Sequence, residues 1–146
     1  MKRTSLVTSF CAGLLVALGA CGDDPTFQLT FGIDASFQGA HAGDPIAVAL
    51  VRASDGVVVQ EQMGTVSGTA TPAASFTFAG LLEEGVAYEV DYWIDSNFGG
   101  GTLGVCDATA IDHQWKVTIA AVSADVAITE AHIPNTVVDV CSTFAS

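Results

Sequence analysis

The residues best equipped for chemistry fall in one stretch, Asp95-Ser96-Asn97-Phe98-Gly99-Gly100-Gly101-Thr102-Leu103-Gly104-Val105-Cys106-Asp107, followed closely by Asp112-His113-Gln114-Trp115. Asp95, Asn97, Asp107 and Asp112 offer oxygen donors, and the glycines let a backbone turn sharply around an ion. Hard cations want several carboxylate and carbonyl oxygens, so calcium is the cofactor that this loop would take. The same residues have an ordinary use. Asp and Asn in loops accept hydrogen bonds from nearby backbone amides, and consecutive glycines make a plain flexible connection. The histidines, His41, His113 and His132, are a second set, since imidazole suits zinc and copper. They are scattered singly, without a His-x-His or His-x-x-x-His pair. The commoner fate of such a residue is a partly buried imidazole bonded to a carbonyl or carboxylate, as Asp112-His113 suggests.

Trp93 is the candidate ligand-binding residue. Its parity in the segment Val86 to Asp95 sets it with Glu89, Asp91 and Asp95, opposite Val86, Tyr88, Val90, Tyr92 and Ile94. An exposed indole beside carboxylates could stack on a sugar ring, and calcium nearby would suit a carbohydrate-binding module. A bulge or a covering loop would instead remove the ring from solvent. Enzymatic signals are missing: there is no nucleophile elbow or paired-acid motif, and the adjacent Glu83 and Glu84 point apart. Nothing after Cys141 supplies the histidine and methionine that a cupredoxin requires. The chain reads as a non-enzyme.

The elements that must position these residues are strands. Thr26 to Phe37 alternates, with Phe27, Leu29, Phe31, Ile33, Ala35 and Phe37 on one face; period two marks a half-buried strand. Further strands are expected at Ile46–Ala53, Val57–Met63, Ala74–Ala79, Val86–Asp95, His113–Ala120, Val126–Thr129 and Val137–Cys141. Asp55-Gly56 between the second and third is a hairpin signal. No segment carries sustained helical periodicity. The run Leu82-Glu83-Glu84-Gly85-Val86-Ala87-Tyr88-Glu89-Val90 resembles the tyrosine-corner region of immunoglobulin-like and fibronectin-type sandwiches. That resemblance implies a core Tyr88 whose hydroxyl bonds back to the preceding turn. The expectation is an all-β, antiparallel, immunoglobulin-like β-sandwich of about seven to eight strands.

The N-terminus gives an address. Met1-Lys2-Arg3 is followed by the apolar run Phe10 to Leu18, the pattern of a secretory signal and well short of the ~20 residues that span a bilayer. It ends Leu18-Gly19-Ala20-Cys21, which resembles the lipobox of bacterial lipoproteins. The resemblance implies a diacylglyceryl group on Cys21 and cleavage just before it. Residues 1–20 are then signal, 21–25 a lipidated tether and 26–146 the sandwich domain. Gly22 in place of the aspartate that retains such proteins at the inner membrane points to the outer membrane. The stretch Asp-x-Asn, glycines, Val-Cys-Asp, Asp-His-x-Trp is similar to that of uncharacterised bacterial lipoproteins, and implies no known activity.

Of the four cysteines, Cys11 leaves with the signal and Cys21 carries lipid. Cys106 and Cys141 remain, in an exported compartment where a disulfide persists. The mature chain keeps only Arg52 and Lys116 as basic residues against sixteen acids. Such a surface repels phosphate backbones, so nucleic acid is excluded as a partner. The membrane is the partner implied by the lipid, and an envelope protein or glycan is the partner left open. Two functional readings follow: a structural or protein-interaction module of the cell envelope, or a calcium-assisted ligand-binding module.

Overall fold

The computed structural model describes residues 25–135 and 137–144; the expected signal segment and Cys21 lie outside the described residues. The alternation read above folds into seven strands: β1 (Thr26–Ile33), β2 (Pro45–Arg52), β3 (Val58–Thr65), β4 (Ala74–Glu83), β5 (Tyr88–Ile94), β6 (His113–Ile119) and β7 (Val126–Glu130). They form a three-stranded sheet, β4-β1-β7, and a four-stranded sheet, β3-β2-β5-β6. Every pairing is antiparallel except that of β1 with β7, which is parallel from Leu29 opposite Val126 to Ile33 opposite Glu130. The protein is an all-β sandwich.

The inner faces meet in one core. Leu29, Phe31 and Ile33 of β1 and Phe76 and Phe78 of β4 pack with Ile46, Val48 and Leu50 of β2, and with Tyr88, Val90, Tyr92 and Ile94 of β5. Phe27 and Val117 pack at its margin. Tyr88 is fully buried; its hydroxyl accepts the Glu83 N–H at 2.9 Å and donates to the Leu81 carbonyl at 3.3 Å. The turn before β5 is thus closed by a side chain, as the tyrosine-corner resemblance implies.

Three departures from the sequence reading have local causes. First, β1 ends at Ile33 rather than Phe37, because Asp34 caps a short 3-10 turn (Ala35–Phe37) by accepting the Ser36 N–H at 2.8 Å. A one-turn helix, α1 (Gln38–His41), follows directly. Second, β4 runs on to Glu83, pairing with the whole length of β1. Third, the segment from Val137 joins no sheet. Its amides go instead to Gln114, Val138 N–H to the backbone carbonyl at 3.0 Å and Val140 N–H to the side-chain Oε1 at 2.9 Å. It ends in a one-turn helix, α2 (Cys141–Phe144).

That C-terminal segment is a partial third layer on the outer face of β2 and β5. Val140 buries against Ala47 and Trp93, with Phe144 and Cys106 beside them. The Thr143 hydroxyl donates to Asp91 Oδ2 at 2.5 Å. The Cys106–Cys141 disulfide fastens the segment to the 95–112 loop.

Candidate metal centre

One end of the sandwich gathers side chains from three separate parts of the chain. His41 ends α1 in the β1–β2 connection, His113 opens β6, and His132 follows β7. His41 Nε2 lies 3.0 Å from His113 Nδ1 and 3.3 Å from His132 Nε2. All three ligand atoms lie within 4.8 Å of one another. Zinc–imidazole bonds of 2.0–2.1 Å at tetrahedral angles set neighbouring nitrogens about 3.3–3.4 Å apart. The two spacings from His41, 3.0 and 3.3 Å, fall close to that separation.

Local structure explains each placement. The Asp34-capped turn carries the chain from β1 into α1 and buries Phe37, whose ring packs on His132 and Trp115 with centroids 5.0 and 5.4 Å away. The His132 N–H donates to Ser36 Oγ at 2.8 Å, tying the exit of β7 to that same turn. Trp115, two residues along β6 from His113 and on the same face, donates its indole N–H to the Ile133 carbonyl at 3.2 Å. Tyr92 stacks on Trp115 from β5, with centroids 5.2 Å apart. The imidazoles are therefore held by packed aromatic rings and by backbone anchors.

Hydrogen bonding fixes the tautomer of His41. Its Nδ1 lies 3.2 Å from Asp44 Oδ2 and 3.3 Å from Ser96 Oγ, whose own hydroxyl donates to the Ile94 carbonyl at 3.1 Å. Nδ1 is the donor to these acceptors, so Nε2 presents its single lone pair to the cluster. Two further ring nitrogens face that lone pair, which can accept from only one of them. A cation accepts from all three at once. A carboxylate behind a metal-facing imidazole is the usual arrangement for orienting such a ligand.

Electrostatics keep the rings uncharged. Burial first, then the charge of His132, lowers the His41 pKa to about 4. His113 is lowered by burial and by His41 and His132, against an opposing pull from Asp112, and His132 by burial. Asp44 is raised by burial and by the charges of Asp95 and Asp112. Neutral imidazole is the form that binds a metal.

The loop residues singled out for calcium stand beside this cluster, and their oxygens hold the loop's own backbone. Asp95 Oδ2 accepts the Gly104 N–H at 2.6 Å, and Asp107 Oδ2 that of Thr102 at 2.6 Å. Asp112 takes the Asn97 N–H on Oδ1 at 3.1 Å and the Asp107 N–H on Oδ2 at 2.9 Å. The Asn97 amide donates to Asp95, and its Oδ1 is buried without a partner. Gly101 lies within this network at φ +117°, where a Cβ would meet Asp107 Oδ2 at 2.8 Å and Ile111 at 2.7 Å, so only glycine fits. Among the described residues, the ligand-bearing group that converges is the three histidines.

Trp93 requires a correction. It faces away from the main core, as its parity demands, but is only 4% exposed. The C-terminal segment covers it, with Phe144 edge-on at 6.2 Å. Its ring is not available as an open platform for a sugar.

The chain matches no protein-family model, no curated protein and no solved structure.

Proposed function

We propose that this protein is a lipoprotein of the cell envelope, anchored through Cys21, whose sandwich binds a late first-row transition metal, Zn2+ or Cu2+, on His41, His113 and His132. One observation carries the metal reading: two imidazole nitrogens approach His41 Nε2 at 3.0 and 3.3 Å, on rings kept neutral and held from behind. Imidazole donors favour these ions over calcium or magnesium, which take oxygen. The lipobox-like Leu18-Gly19-Ala20-Cys21 supports the anchoring.

Titration calorimetry of the metal-stripped protein with Zn2+ and with Cu2+ tests the site. One ion per chain is expected, with binding lost in His113→Ala and His132→Ala. Equal binding by these variants and the wild type would remove the reading. Mass spectrometry of protein from a bacterial membrane fraction tests the anchor: an acylated N-terminal Cys21 is expected, and an unmodified one disproves lipidation.

A further inference from the structure

We propose that a metal held by this cluster keeps one coordination position for a ligand from solution, and that this position takes a small monovalent anion. The inference rests on the metal reading above and concerns what the bound ion would do. Structural zinc sites are closed by four protein ligands, whereas sites that act on small molecules use three and leave the fourth open. Here three such donors converge within the described part of the chain. Among the described residues no aspartate, glutamate or cysteine joins the three imidazoles as a fourth donor.

The neighbours that could complete the shell are engaged elsewhere. Asp44 Oδ2 and Ser96 Oγ both lie against His41 Nδ1, the nitrogen turned away from the centre, at 3.2 and 3.3 Å. Reaching the ion would break the contacts that orient His41. Asp112 accepts two loop amides, and Cys106 and Cys141 are joined to each other.

The open position has a direction. His41 is fully buried, whereas His113 and His132 are only partly so; solvent reaches the cluster on their side. Phe98, 46% exposed, forms the wall there, its ring 4.9 Å from His113 and 5.9 Å from His41. It stands directly before the Gly99-Gly100-Gly101 run, all three at positive φ. Charge selects the ligand. Three neutral imidazoles bring no charge of their own to the ion, and the nearby carboxylates, Asp44 among them, stand behind the ligands rather than on it; at a partly desolvated site that favours an anion over a neutral donor in the direct shell.

The test uses the full-length protein loaded with Co2+, a spectroscopically visible stand-in for zinc, and titrated with sodium azide. Azide is expected to shift the visible bands of the bound Co2+ along a saturable single-site curve. Phe98→Ala, with Phe98→Leu as the milder variant, is expected to raise the azide association rate several-fold while leaving Co2+ stoichiometry unchanged. Bound Co2+ whose spectrum ignores tens of millimolar azide overturns the open position and leaves the metal site standing. Failure to bind Co2+, Zn2+ and Cu2+ alike overturns both. Unchanged azide kinetics in both Phe98 variants overturns the placement of the opening.

Discussion

His41 is the most constrained of the three imidazoles, and its constraints make separate predictions. Asp44 touches only the far nitrogen of the ring, so it positions the ligand without binding the ion. Asp44→Asn should therefore weaken Zn2+ binding by about 10–100-fold, the range for loss of such a partner. His41→Ala should abolish binding. Calorimetry separates the two, and equal losses in both would mean that Asp44 is itself a ligand. The metal-free protein has a second signature. All three histidines have folded pKa values below the ordinary 6.5. Between pH 6.5 and about 4 the unfolded chain therefore binds more protons than the folded one, and stability falls as pH falls. Asp44, raised by burial, works in the opposite sense at the low end, while Asp95 and Asp112 contribute the surrounding negative charge. With a chelator present, the Tm should drop steadily from pH 7 to pH 4.5. Replacing His41 and His132 together by glutamine should flatten that slope; an unchanged slope would place its origin elsewhere.

At the level of elements, alternation revealed more than spacing did. Period two identified β1, β5 and β6, and it set Tyr88, Val90 and Tyr92 on one face because it follows from strand geometry alone. The same rule assigned Trp93 to the outer face and was right about the face. What it could not supply was the cover, because the segment from Val137 onward is held by the backbone carbonyl and the side chain of the single residue Gln114 rather than by a strand ladder. The histidines were illegible as a set for a related reason: they are 19, 72 and 91 residues apart, joined by sheet pairing that no local pattern encodes. The third layer yields its own prediction. Trp93→Ala empties a buried site and should cost about 3–5 kcal/mol. Trp93→Phe keeps most of the packing and removes an indole N–H that is buried without a partner, so it should cost far less. Breaking Cys106–Cys141, which closes a separation of 35 residues, should cost about 4 kcal/mol by chain entropy. Denaturant unfolding ranks the three variants, and a Phe variant as unstable as the Ala one would contradict the proposed packing.

Across the whole molecule, charge and site act together. Both basic side chains of the sandwich are paired: Arg52 lies near Asp55 and Glu83, at 3.2 and 3.6 Å, and Lys116 near Glu89 and Asp91, at 2.6 and 3.6 Å. The field around the domain is therefore that of its surplus carboxylates, and it draws cations toward every surface, the histidine end included. Asp44, 3.2 Å from His41 Nδ1, and Asp112, whose charge acts on His113, strengthen it there, and Asp95 lies close enough to act on Asp44. Salt screens such a field over roughly 10 Å at 0.1 M. The association rate of Zn2+ should accordingly fall as ionic strength rises, while its dissociation rate, set by the three short bonds, stays nearly constant. The anion at the fourth position meets the same field with opposite sign, so azide should bind the Co2+-loaded protein faster as salt, supplied as sodium perchlorate, is added. Stopped-flow measurements of the two reactions across one salt series test this pairing. Opposite slopes are expected, and slopes of the same sign would show that the acidic surface does not govern traffic to the histidine cluster.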